Sequence, residues 1–107
     1  MTENEFNSLA EPTLERIESA LEQSGADCDY ELKPGGVLEL EFPNGTRIIV
    51  NRHAAAQEIW VAAKSGGYHF RHDGSVWVDT RDGTELFALL SRCISEQAGA
   101  PVILGRE

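Results

Sequence analysis

Six short segments with strand character follow one another between residues 27 and 80, and this run limits the fold more than any other feature. Most alternate apolar with polar positions or are rich in β-branched and aromatic residues, as strands of a half-buried sheet are. Turn residues such as Pro34-Gly35-Gly36 and Pro43-Asn44-Gly45 separate them and predict an antiparallel meander. The predicted strands cover residues 27–33, 37–42, 46–52, 58–62, 68–72 and 75–80, with Val76 and Val78 alternating against Trp77.

A helical period precedes the strands. Apolar residues recur at three- and four-residue spacing over residues 6–21, which predicts an amphipathic helix with one stripe on the sheet. Two capping boxes are available at its start, Thr2-x-x-Glu5 and Ser8-x-x-Glu11. Because Pro12 lacks a backbone donor, we expect the helix to be bent or frayed before it, and we expect Gly25 to end it.

A second helical period follows the strands, with Leu86, Leu90 and Ile94 on one face. Either Asp82-x-x-Glu85 or Thr84 caps its start, and the segment 99–101, Gly-Ala-Pro, stops it. Two helices around six consecutive strands predict the α+β class, as an α-β6-α two-layer sandwich with both helices on one face of an antiparallel sheet. At 107 residues the chain has room for a single domain, residues 1–107.

All of the net charge lies in the first two-fifths of the chain. Residues 1–41 hold eleven acids against Arg16 and Lys33, whereas residues 42–107 hold seven of each sign, so the formal charge of -9 belongs to the first part. This one-sided field repels nucleic acid and anionic membranes, and it attracts cations and basic protein surfaces. We therefore expect neither a nucleic-acid nor a membrane partner.

The chain has no apolar run long enough for a membrane helix and no basic and apolar leader, which predicts a cytoplasmic protein. Cys28 and Cys93 lie far apart and outside any CxxC spacing, so they are interpreted as reduced, structural thiols. His69 and His72 are three apart on a strand and should point to opposite faces, which disfavours a two-histidine metal site.

Two rows of carboxylates stand out in the acidic part. The helix row has spacings of four, three and four residues, which place its members on one helix face, and the strand row has the two-residue period that points side chains to one side of a sheet. If the helix packs beside the first strand, the two rows form one continuous ridge. The helix row is Glu11, Glu15, Glu18 and Glu22; the strand row is Asp27, Asp29 and Glu31.

Like charges at these spacings oppose folding by a few tenths of a kcal/mol per pair, so a binding role is favoured over a merely solvated surface. Hard cations relieve the repulsion through carboxylate oxygens, and a basic protein surface does so through ion pairs; the residues allow both. Neither row contains His or Cys at the spacing of a closed metal cage. All seven carboxylates are therefore candidate metal ligands for weak, exposed and partly hydrated sites.

Several strings resemble the frataxin family, and its bacterial branch in particular. The most specific are the interval from Asn51 to Trp60 and Gly66-Gly67-Tyr68-His69-Phe70, and weaker ones occur from Glu5-Phe6 to Gln97-Ala98-Gly99. The resemblance implies the same α-β6-α sandwich. It also implies weak, surface-exposed binding of iron, as Fe²⁺ or Fe³⁺, and docking onto the cysteine desulfurase and the scaffold protein of iron-sulfur cluster assembly.

The resemblance assigns two partner surfaces. Asn51 and Trp60 match family residues that face the scaffold protein, and Arg52 supplies a positive neighbour beside them. The acidic ridge, taken as Glu18, Glu22, Asp27, Asp29 and Glu31, docks on a basic patch of the desulfurase. Without the resemblance, a core position would be favoured for Trp60.

The function predicted on this basis is an iron-binding accessory or regulatory protein of iron-sulfur cluster assembly, without catalytic residues. The alternative is an iron chaperone, or a ferroxidase or iron-storage protein, although a dedicated oxidation centre would need Glu-x-x-His pairs in a helix bundle. We expect a monomer without iron, and iron-driven oligomerisation stays open.

Overall fold

The computed structural model describes residues 1–105. Two helices flank six strands in the chain, and the sheet order follows the chain order, with every neighbouring pair antiparallel. This is the predicted α-β6-α arrangement. The elements are α1 Glu3–Ser24, β1 Asp29–Lys33, β2 Val37–Glu41, β3 Arg47–His53, β4 Glu58–Ala63, β5 Gly66–His72, β6 Trp77–Asp79 and α2 Leu86–Ala98.

The core lies between the helices and one face of the sheet. On β2 and β3 the buried positions alternate with exposed or half-buried ones, so that each strand contributes one side to the core and one to an uncovered face. The helices supply buried stripes that include Phe6, Ile17 and Leu90. Within residues 1–105 no helix is long and apolar enough to cross a membrane.

Helix α1 begins with the first of the two capping boxes. The Glu5 backbone N–H donates to Thr2 Oγ1 at 3.1 Å, and the Thr2 N–H donates to Glu5 Oε1 at 2.7 Å. The prediction of fraying before Pro12 is wrong, because the helix runs unbroken from Glu3 to Ser24. Phe6 and Ala10 are buried before the proline, and this packing holds the first turns in place. Gly25 ends the helix in the left-handed conformation, as predicted.

Helix α2 is capped by a residue that the sequence patterns did not select as the cap. The Glu85 carboxylate accepts from the backbone N–H groups of Phe87 at 2.8 Å and Ala88 at 3.2 Å. Asp82 instead accepts from the Thr84 N–H at 3.0 Å in the preceding turn. The predicted caps are therefore wrong by one to three residues, because the loop uses Asp82 for its own turn.

The alternation predicted for the last strand is present, and Trp77 is on its core side. Trp77 and Asp79 are buried in β6, while Val78 is only half-buried. The indole Nε1 of Trp77 donates to Thr13 Oγ1 at 3.0 Å, and its ring meets Phe6 edge to face at 5.8 Å between centroids. The large aromatic ring and its one donor are both satisfied in the core, which decides the direction of this short strand.

Candidate functional site

The helix row lies on the side of α1 that faces the edge strand β1. Partial burial and the charges of Glu22 and Glu18 raise the pKa of the Tyr30 phenol, which is on β1. Glu11 and Glu15 line a cavity together with residues of the β1–β2 hairpin. Glu18 is half-buried and the other three carboxylates are exposed. The helix therefore packs beside β1, as the ridge hypothesis required.

The strand row does not join the helix row on one face. Because Tyr30 points towards α1, its neighbours Asp29 and Glu31 point to the uncovered face of the sheet, and both are exposed. Asp27 is not in the strand, since β1 begins at Asp29; it is exposed in the preceding turn. The prediction of one continuous ridge is therefore wrong for Asp29 and Glu31, which lie on the opposite side of the sheet edge from the helix row.

Two further carboxylates complete the acidic surface of the open face. Glu41 lies opposite Asp29 and Glu39 lies opposite Glu31 in the β1–β2 register, and the four line one shallow cavity. Arg47 partly neutralises the group, with its Nη1 3.9 Å from Glu39 and its Nη2 3.6 Å from Glu41. The turn at residues 34–36, which sets the register, was the signal that would have added Glu39 and Glu41 to the candidate site.

Within residues 1–105 no three His, Cys, Asp or Glu side chains converge as they do around a bound metal ion. The carboxylates nevertheless fit a hard cation by their chemistry, because exposed oxygen donors suit such ions. Glu11 is committed elsewhere, with its Oε2 2.8 Å from Nη1 of Arg52. A metal ion at either row would therefore complete its coordination with water.

The uncovered face carries an aromatic stack across β3, β4 and β5. Trp60 is half-buried, and its indole lies between the imidazoles of His53, at 3.9 Å, and His69, at 4.5 Å, with interplanar angles of 12° and 10°. Asn51 lies directly opposite Trp60 in the β3–β4 register and is also half-buried. Asn51 and Trp60 thus occupy the open face, and the core position for Trp60 is excluded.

His69 and His72 point to opposite faces, as predicted. His69 belongs to the stack, whereas His72 meets the buried Trp77 at 5.1 Å between ring centroids. The participation of His53 in the stack was not predicted from the sequence. It depends on the pairing register of three strands rather than on a spacing within one strand.

Glu58 holds the Trp60 indole of this stack in place. Its Oε1 accepts from the Trp60 Nε1 at 2.7 Å, and its Oε2 accepts from the Arg71 Nε at 2.8 Å. Burial would raise the pKa of this carboxyl, but the hydrogen bonds from Arg71 and Trp60 outweigh it and hold the pKa below its usual value. The carboxylate therefore fixes the indole in one orientation.

Arg52 lies on the other side of the sheet from Asn51 and Trp60. Its Nη1 donates to Asn7 Oδ1 at 2.7 Å and to Glu11 Oε2 at 2.8 Å, both on α1. Its side chain is only 18% exposed. The expectation that Arg52 would stand beside Asn51 and Trp60 is wrong, because the two-residue period aligns it with the buried Val50.

Changing Glu58 to Gln should reduce stability most at neutral pH. A folded-state pKa below the unfolded value means that the ionised carboxylate stabilises the fold above about pH 4.3, and that this contribution is lost as the pH falls further. Urea unfolding at about pH 7 and about pH 3 should therefore give a difference between the wild type and Glu58→Gln that shrinks in acid. An equal difference at both values would contradict the assigned role of Glu58.

The geometry defines a class of protein: a two-layer α-β6-α sandwich with two distinct surfaces. One is the acidic edge, formed by the helix row on α1 and the strand row at β1, and the other is the uncovered sheet face, which carries an ordered tryptophan. A family model described as a frataxin-like domain matches residues 1–100, and the chain belongs to this family.

Curated relatives match over nearly their full length. The chain is 58% identical to the iron-sulfur cluster assembly protein CyaY of Dechloromonas aromatica, covering 97% of this chain and 99% of that protein. It is 54% identical to the protein of the same name from Cupriavidus necator, covering 98% and 97%.

Solved structures agree with the fold. Frataxin from Psychromonas ingrahamii superposes with a TM-score of 0.88 at 36% identity, covering 96% of this chain and 97% of that one. Trimeric yeast frataxin, described as complexed with ferrous iron, gives 0.71 at 32% identity, covering 84% and 85%.

Proposed function

We propose that this chain is an iron-binding accessory protein of iron-sulfur cluster assembly, acting in the cytoplasm. The observation that carries the proposal is the pairing of two unlike exposed surfaces on one small sandwich: the acidic edge and the ordered aromatic stack. The names of its curated relatives support the same role. Such a protein acts by binding to others, so it needs no catalytic group.

Iron is the cargo of the acidic edge. The proposed ligands come from the helix row and from the strand row, and Glu11 contributes least because Arg52 already holds it. Exposed carboxylates whose ion keeps several waters bind it weakly, so the ion exchanges readily, which suits sensing or transfer rather than storage. The ferrous complex of the yeast relative supports this choice of metal. The proposed ligands are Glu11, Glu15, Glu18, Glu22, Asp27, Asp29 and Glu31.

Two partners use the two surfaces. The cysteine desulfurase binds the acidic edge through a basic patch, with Glu18, Glu22, Asp27, Asp29 and Glu31 as the contacting acids. The scaffold protein binds the open face at Asn51 and Trp60, because a fixed aromatic ring is the usual centre of such an interface. Arg52 acts in this scheme by orienting Glu11 and α1 rather than by touching the scaffold protein.

Anaerobic titration with Fe²⁺, followed by backbone amide NMR, tests the metal assignment. Signals of residues 15–31 should broaden first, while those of α2 stay sharp. Admitting oxygen afterwards, beside a protein-free control for spontaneous oxidation, separates the alternatives through Fe³⁺ formation and particle mass. A ferroxidase would oxidise iron faster than the control and a storage protein would accumulate it, whereas a carrier would do neither. The same sample reports whether iron converts a monomer into an oligomer. Broadening that is uniform over the chain, or absent, would overturn the proposal of iron sites at this edge.

A further inference from the structure

A cavity of about 350 Å³ opens at the β6 edge of the sheet, remote from the acidic edge at β1. It lies between α1, the β5–β6 turn and the first turn of α2. Its volume falls at the lower end of the roughly 300–1,000 Å³ range of small-molecule sites. The residues that matter for the argument are Leu9, Thr13, Arg16, His72, Ser75 and Trp77.

The floor of the cavity is fixed before any ligand binds. Trp77 is 4% exposed, and its Nε1 donates to the buried Thr13 Oγ1 at 3.0 Å. His72 meets the same indole edge to face at 5.1 Å between ring centroids. A ligand entering here would therefore meet ordered rings, and little conformational entropy would be lost on binding.

Arg16 is the charged group at this cavity that lacks an acidic partner. It donates from Nη2 to Thr13 Oγ1 at 3.0 Å, but among residues 1–105 no carboxylate lies within 4.0 Å of its guanidinium. Lys64 and Arg92 likewise have no carboxylate within 4.0 Å among the described residues, but neither of them lines this cavity. Five other basic residues do find carboxylates: Lys33, Arg47, Arg52, Arg71 and Arg81.

The uncharged polar groups His72 and Ser75 can each donate a hydrogen bond to an acceptor in the cavity. His72 Nδ1 accepts from the Gly74 N–H at 3.2 Å, so the neutral imidazole carries its hydrogen on Nε2. Ser75 adds a hydroxyl. The carboxylate of Glu85, which also lines the cavity, is occupied by the two backbone N–H groups at the start of α2. Asp73, in the turn beside it, accepts from the N–H groups of Ser75 and Val76, both at 2.9 Å.

We propose that this cavity binds a small organic carboxylate. The carboxylate group takes the guanidinium of Arg16, for which a planar two-oxygen acceptor is the natural partner. The body of the ligand lies against Leu9 and the Trp77 face of the cavity. This site is separate from the acidic edge and from the open sheet face, and it does not depend on the proposed function.

Benzoate titration followed by NMR tests the proposal, with benzamide as the neutral analogue and sodium chloride at matched ionic strength. The Trp77 indole signal and the amides of Ser75 and Val76 should shift saturably with benzoate alone. Arg16→Gln should weaken binding at least about tenfold, the usual scale for one charge-assisted contact. Arg16→Lys, which keeps the charge, should retain part of the affinity.

Arg92→Gln is the matched control, because it removes an exposed arginine from α2, away from the cavity, and should leave benzoate binding unchanged. The proposal is overturned if Arg16→Gln binds benzoate as the wild type does. It is equally overturned if the shifts grow linearly without saturation or appear with sodium chloride, since the cavity would then be a solvent-filled groove. The amide spectrum of each variant reports directly whether it is folded.

Discussion

Trp60→Ala is expected to weaken binding of the scaffold protein at least about 30-fold, which corresponds to roughly 2 kcal/mol for loss of a central aromatic anchor. The side chain is held by Glu58 and by two stacked imidazoles, so the wild type has little rotamer entropy to lose on docking. Isothermal titration calorimetry with the purified scaffold protein measures the change.

The matched control is Ile103→Ala, which removes an apolar side chain that is 83% exposed in the C-terminal segment. It should leave the affinity unchanged. Trp60→Ala should also lose about 1–3 kcal/mol of folding stability, since each stacked ring pair contributes roughly 0.5–1.5 kcal/mol. The titration is therefore made well below the melting temperature. Equal affinities of Trp60→Ala and the wild type would remove the open face from the docking scheme.

The double variant Glu18→Gln, Glu22→Gln is expected to weaken binding of the cysteine desulfurase about tenfold at low ionic strength. The difference should shrink as salt is added, because screening acts over about 8 Å at physiological ionic strength. Removing these like charges should at the same time leave folding stability unchanged or slightly higher. Binding kinetics at two salt concentrations measure the effect.

The pKa of the Tyr30 phenol gives an independent check on the geometry. Partial burial and the two carboxylates raise it, so it should fall in the double variant, as followed by ultraviolet titration. Glu3→Gln, Glu96→Gln is the control with the same change of charge at sites away from Tyr30. If this control weakens desulfurase binding as much as the test variant does, net charge rather than the helix row determines the affinity.

The helices and strands could be predicted because turn residues in the sequence mark where each of them ends. Gly36 is a clear case: its φ is 77°, and a Cβ there would come within 2.5 Å of Arg52 Nε. Such positions leave glycine as the fitting residue and so fix where one strand ends and the next begins. The same reasoning placed Gly25 and Gly99 at the helix ends, where both adopt the left-handed conformation.

The direction of side chains was predicted less well, and the reason lies in the two-residue period. Given Tyr30 on the inner side, Asp29 and Glu31 must face outward, and given Val50 in the core, Arg52 must face α1. Both inferences require knowing, for one residue in each strand, which side of the sheet it faces. The sequence alone did not supply this. Predicting the stack around Trp60 would also have required the pairing register of three strands, because His53 and His69 come from the two neighbouring strands.

Reconstituted cluster assembly tests the central claim most directly. Desulfurase, scaffold protein, cysteine and Fe²⁺ are combined, and cluster formation is followed by absorbance with and without this chain. The proposed function predicts that the wild type changes the rate in a saturable way, in either direction, and that Trp60→Ala and the Glu18, Glu22 double variant have much less effect. An unchanged rate at saturating wild-type chain would contradict the assignment to iron-sulfur cluster assembly.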